Sequence, residues 1–200
     1  MTTTVPTRRA RRFDPDRKDR IVAAAVTVMA RHGVAGTTHR LVAAEADVPL
    51  GSLTYHFASL DDLRVQAYRR VAEQMSRAYE AHFRDVVTRA DLVEAVTALI
   101  QGDGGGDPEQ LLVAYSLYLE ALRDPALREV TEGWMRTSRA VLERFVDPVT
   151  ARGVDALIEG LVMHKLLSTA PVSRADTRTV VDRAVGPADR LSRRRSRSTL

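Results

Sequence analysis

The 200-residue chain has no cysteine, so disulfide bonds, thiolate catalysis and zinc–thiolate sites are excluded outright. No uninterrupted apolar run approaches the ~20 residues that a bilayer-spanning helix needs. The first residues, MTTTVPTRRARRF, lack the apolar core of a secretory signal. A cytoplasmic protein without a membrane partner is expected. Lysine is nearly absent too, with two residues against 28 arginines. A bias that strong reflects genome composition, and single arginines carry little weight for it. What remains is an ordinary soluble composition: 44% apolar residues, enough for a sizeable core in one or two domains.

The net charge of +4 conceals an asymmetry. Residues 1–60 hold nine Arg and Lys against five Asp and Glu, a balance of +4. Residues 61–189 hold 16 against 21, a balance of −5, and the last eleven carry five Arg and no acid. Basic ends around an acidic middle assign polyanion contact to the N-terminal part.

Apolar periodicity is helical almost throughout. Asp14-Pro15 is a helix start, and Ile21, Ala25, Val28 and Met29 share one face before Gly33 stops the helix. A long helix is expected from about Leu60 to Val87, followed by one from Asp91 to Gln101 and a flexible GDGGGDP loop. Pro108 opens the next helix, and Arg123-Asp124-Pro125 marks a tight break before another that runs to about Val146. Val154 to Leu167 is apolar on more than one face, as expected of a helix packed on two sides. Its Gly160 fits close helix–helix approach. A last helix covers about Ser173 to Val185.

The most informative stretch is TTHRLVAAEADVPLGSLTYHFASLDDL, Thr37 to Leu63. Thr38 can cap a short helix whose apolar face holds Leu41, Val42 and Ala44 to Ala46. Asp47 sits where the chain must turn, and Asp tolerates the left-handed conformation. Pro49 presets φ for a second helix, about Leu50 to Phe57, that buries Leu53 and Phe57 at i, i+4. That leaves Leu50, Gly51, Ser52, Thr54, Tyr55 and His56 facing outward or sideways. A rigid helix with small and hydrogen-bonding residues at its exposed start suits a DNA major groove.

This segment resembles the DNA-binding domain of TetR-type transcriptional regulators. The resemblance is carried by Thr38, Val42, Ala43, Val48, Gly51, Leu53, His56 and Phe57, then Asp62 and Leu63, and it extends upstream through Ile21 to Gly33. The chain departs from the family pattern at Asp47 (usually Gly), Pro49 (usually Ser), Thr54 (usually Tyr, here following as Tyr55) and Leu60 (usually a phosphate-gripping Lys). The resemblance implies that Arg40, Leu50, Gly51, Ser52 and Tyr55 face the groove. It implies backbone contacts for Thr38, Thr54 and His56.

Catalytic readings find no support. The five histidines, His32, His39, His56, His82 and His164, form no metal-ligand spacing with a carboxylate. The glycine loop lacks the Lys-Ser/Thr of a phosphate-binding loop and follows no strand. No cofactor is expected. Trp134, Tyr115, Tyr118 and His164 are candidates for lining an effector pocket, beside the plainer reading of core or interface residues. Arg8, Arg9, Arg11 and Arg12 could follow the minor groove; the RRRSRS tail reads as solvated.

The expectation is therefore an all-α chain. A basic arm (1–13) precedes a three-helix helix-turn-helix head (14–59), a helical effector-binding and dimerisation domain (60–186) and a basic tail (187–200). It would act as a homodimeric repressor of a double-stranded DNA operator, released by a small molecule. A TetR-like protein-binding module and a nonspecific architectural DNA binder are the alternatives.

Overall fold

The computed structural model describes residues 14–103, 107–170 and 172–187; the arm and tail lie outside them. Nine helices and no strand make up the described residues, and they divide into two compact units after Arg64.

The first unit contains α1 (Arg17–Gly36), α2 (His39–Glu45), α3 (Leu50–His56) and the first turn of α4 (Leu60–His82). Its core is built from Ile21, Val22, Ala25, Val28, Met29, Val42, Leu53, Phe57 and Leu63. Gly33 interrupts α1 with φ 70° and ψ 168°, a backbone region essentially reserved to glycine, so the regular helix stops where the sequence places its end. The turn after it is tied down twice. Thr37 Oγ1 donates to the Gly33 carbonyl at 2.9 Å, and Arg64 reaches the Val34 carbonyl at 3.0 Å. Asp14-Pro15 does not open α1 itself. Asp14 accepts from the Asp16 amide at 3.2 Å, forming a turn that delays the helix to Arg17.

The second unit contains the rest of α4, then α5 (Arg89–Gln101), α6 (Pro108–Ala121), α7 (Pro125–Leu142), α8 (Pro148–Leu167) and α9 (Arg174–Val185). Three of these starts repeat one device. Asp107, Asp124 and Asp147 each cap their helix through a side-chain oxygen, with proline in the first turn. Thr88 and Asp91 form a capping box on α5. Phe83, Val96, Ile100, Leu142, Val154 and Val181 anchor one continuous core where α5, α8 and α9 meet. Polar ties reinforce that junction: Arg89 donates to Asp182 at 2.8 Å, and Arg174 bridges Glu94 and Asp103.

Besides α1, three helices differ in extent from the sequence expectation. α7 ends at Leu142 rather than near Val146, the chain turning through residues 143–145. α4 ends at His82 rather than near Val87, because Phe83 turns fully into the core. α8 starts at Pro148, a turn and a half before its apolar run, because Asp147 accepts from the Val149 and Thr150 amides and so caps the turn Pro148–Ala151 ahead of that run.

Candidate nucleic-acid interface and ligand cavity

The turn between α2 and α3 sets the presentation of α3. Thr38 accepts from the Leu41 amide at 3.3 Å, committing its hydroxyl to the α2 cap. Asp47 takes φ 50°, and the Val48 amide reaches back to the Ala43 carbonyl at 3.0 Å. Pro49 occupies the cap position of α3, one residue ahead of the first helical turn. Leu53 and Phe57 then sink completely into the head and hold α3 against it.

Everything else on α3 is available at the surface. Tyr55 is 83% exposed and Leu50 50%, while Gly51 and Thr54 are exposed and Ser52 and His56 half-buried. The His56 ring lies edge-on to Tyr55, with centroids 4.9 Å apart, which fixes both aromatic groups relative to the helix. A Cβ built on Gly51 would meet nothing within 4 Å, so no packing inside the chain requires glycine there. On α2, Arg40 is exposed and forms no ion pair among the described residues, whereas Arg20 is paired with Asp14 and Arg31 with Glu45. The eight residues singled out from the sequence (Thr38, Arg40, Leu50, Gly51, Ser52, Thr54, Tyr55 and His56) thus share two consecutive short helices of one unit, with Thr38 spent mainly as a cap.

The second unit encloses a cavity of about 260 Å³ bounded by α4 to α8. Met75 and Tyr79 come from α4, Tyr115 from α6, Trp134 from α7, and Asp155 and Glu159 from α8. Tyr118 stands behind this wall, stacked on Trp134 at a centroid distance of 5.3 Å and an interplanar angle of 9°. Of the four pocket candidates from the sequence, Trp134 and Tyr115 line the cavity, and Tyr118 supports it. His164 does not line it. It is exposed, beside a separate depression with Gln101 and Leu167.

The two carboxylates are treated differently. Asp155 is buried and fully partnered, accepting from Ser138 Oγ at 2.6 Å and from Arg139 Nε at 3.1 Å. Glu159 forms no ion pair among the described residues, and its carboxyl is hydrogen-bonded by the Tyr118 hydroxyl. Burial pushes the Glu159 carboxyl up to about 7; the Tyr118 bond opposes the rise and the Asp155 charge adds to it. The Tyr79 hydroxyl is buried without a partner, and burial followed by the Asp155 and Glu159 charges drives it upward as well. The sequence expectation missed Glu159, Asp155 and Tyr79. The readable signal was two carboxylates one turn apart inside an otherwise apolar helix.

Among the described residues no group of three or more His, Asp or Glu could hold a metal ion. Residues 21–67 match the family described as bacterial regulatory proteins, tetR family, and residues 87–187 match the tetracyclin repressor-like C-terminal domain. The HTH-type transcriptional regulator BetI of Agrobacterium fabrum is 28% identical over 179 residues, covering 85% of this chain and 86% of that protein. A TetR-family member of Streptomyces coelicolor A3, SCO1917, superposes with a TM-score of 0.73 at 41% identity, covering 86% of this chain and all of the other. The multidrug binding protein EbrR in complex with ethidium gives a TM-score of 0.74 at 42% identity, with 86% of this chain and 99% of that one covered. The chain belongs to the TetR family of bacterial transcriptional regulators.

Proposed function

We propose that the chain is a homodimeric repressor that reads a DNA operator with α3 and lets go when a small molecule fills the α4–α8 cavity. The observation that carries this reading is the free face of α3, whose anchoring residues are buried while Leu50, Gly51, Ser52 and Tyr55 are left for a partner. Phosphate contacts from Thr38, Thr54 and His56 would supply most of the affinity, and Arg40 with the α3 residues Leu50, Gly51, Ser52 and Tyr55 would face the groove and read base edges. The cavity resembles a ligand site in being mostly apolar with a few convergent polar groups. Ethidium, proflavin and malachite green, which occupy structures of EbrR, are aromatic cations, and Trp134, Tyr115 and Glu159 are suitable groups to hold such a molecule here.

The proposed coupling runs through α4, one unbroken helix from Leu60 to His82 that carries Tyr79 and Met75 on the cavity wall. A ligand that displaces this wall would change the spacing of the two heads, which must stay near one DNA turn, about 34–36 Å, to occupy adjacent grooves. The test is selection of bound fragments from genomic DNA, followed by electrophoretic shift against random competitor. A fragment retained in competitor excess and released by tetraphenylphosphonium, a cation that does not intercalate, is the expected result. Binding indifferent to sequence would overturn the operator reading.

A further inference from the structure

We propose that Glu159 makes the cavity a cation-for-proton exchanger, in which an aromatic organic cation is taken up against the carboxylate and the proton held by Glu159 in the empty cavity leaves to solvent. The inference rests on the reading of this cavity as the effector site.

The asymmetry of the two α8 carboxylates carries it. Asp155 already has its cation, the Arg139 guanidinium, together with the Ser138 hydroxyl. Glu159, one turn further along, has only a neutral donor, the Tyr118 hydroxyl, and forms no ion pair among the described residues. An ionised carboxylate in an apolar wall without a cation is costly, and the cost is relieved either by a proton or by a positive ligand. The empty cavity takes the first route, in accord with the Glu159 carboxyl titrating near 7 rather than near 4.5. An aromatic cation offers the second. It would lie against Trp134 and Tyr115, whose ring faces attract positive charge, and the unpartnered Tyr79 hydroxyl would gain a polar group to bond.

The other charged and titratable groups around Glu159 are committed elsewhere. From α4, the His82 ring nitrogen lies 2.7 Å from the Ala95 carbonyl. At the head of α6, Asp107 caps its own helix, and Tyr115 donates to the Glu159 main-chain carbonyl at 3.3 Å. On α8 itself, the Lys165 ammonium donates to the Gln101 carbonyl. The exchange balances as one cation in and one proton out: the carboxyl O–H bond breaks and the proton bonds to water or to the buffer base, with no oxidation or reduction.

Ethidium is the probe, because its charge is permanent and any proton released must come from the protein. The experiment is titration calorimetry on the full chain without DNA, at pH 6, 7 and 8, in buffers of different ionisation enthalpy. The chain has one tryptophan, Trp134, which lines this cavity and also an open cleft between α4 and α7. Tyr115 lines the cavity alone, so quenching of Trp134 fluorescence that Tyr115→Ala weakens reports occupancy of this cavity. Release of nearly one proton per ethidium at pH 6 and almost none at pH 8 is expected, with affinity about tenfold higher at pH 8, as linkage to one group titrating near 7 requires. Glu159→Gln should abolish both the release and the pH dependence, which also excludes His82 as their source; Glu159→Asp should restore the release at lower affinity. Trp134 quenching with no proton release and a flat pH profile would overturn the exchange and leave the cavity as the effector site. Absence of ethidium binding at every pH would overturn the cation class itself, and the repressor reading would still stand or fall on operator release.

Discussion

Gly51 shows how a residue can be chosen for a partner outside the chain. Its backbone is ordinary helix and the space over it is empty, so alanine there would fit without strain. Replacing glycine by alanine at a compatible helical position stabilises by about 0.4–1 kcal/mol. Gly51→Ala should therefore raise the melting temperature while weakening operator binding, because the added methyl stands where the duplex would approach. A variant that is both more stable and fully competent for DNA would remove Gly51 from the interface. Glu159 is the converse case, a residue that costs the fold something. The folded chain holds its proton more tightly than the unfolded chain does, so this contribution to stability is complete below the ordinary carboxylate range. It is lost as the pH rises through about 7. Between the ordinary carboxyl value of 4.5 and about 7 the loss amounts to about 3 kcal/mol, at 1.36 kcal/mol per pH unit. Glu159→Gln should flatten the decline in denaturant midpoint between pH 5 and 8, and an unchanged slope would place the carboxyl in contact with water.

At the scale of elements, α3 divides its labour by face. Tyr55 projects outward, with Ser52 one turn before it, whereas the His56 ring is held edge-on between those of Tyr55 and Phe57. Tyr55→Ala should lower discrimination between operator and random DNA by roughly 1–3 kcal/mol, the worth of a base contact. His56→Ala should weaken both more evenly. Equal losses on the two DNAs for Tyr55→Ala, measured by competitive electrophoretic shift, would contradict the division. The head was legible in the sequence because its signals are local: the Thr38 cap, the Asp47 turn at φ 50° and the Leu53–Phe57 spacing all act within a few residues. The cavity was only half legible. Trp134 and Tyr115 stand out by residue type, but Glu159 matters because of Tyr118 and Tyr79, which lie on other helices and approach it only in the folded chain. The start of α8 escaped for the opposite reason. Apolar periodicity marks the continuous apolar part of a helix, while Asp147 caps a short turn with an exposed Val149 ahead of it.

At the scale of the whole molecule, the apolar surface that one chain leaves uncovered argues for a second copy. On α8, Val154 and Ile158 are buried in the core of their own chain, but Leu166 is half exposed and Leu167 is 77% exposed. Val172 and Val180 continue apolar exposure into α9 and the connection that leads to it. A second copy laid against α8 and α9 would cover this surface. Two heads on one DNA gain from being linked, because the second binds at an effective concentration set by the first. Leu167→Arg combined with Val180→Arg places charge on side chains already at the surface, so the single chain should still fold. Sedimentation should then show monomer, and operator affinity should fall by about 10²–10⁴-fold, the range over which linkage of two weak sites operates. Circular dichroism would verify that the helices persist. A wild-type chain that sediments as monomer at micromolar concentration, or a doubly substituted one that stays dimeric, would move the interface away from α8 and α9.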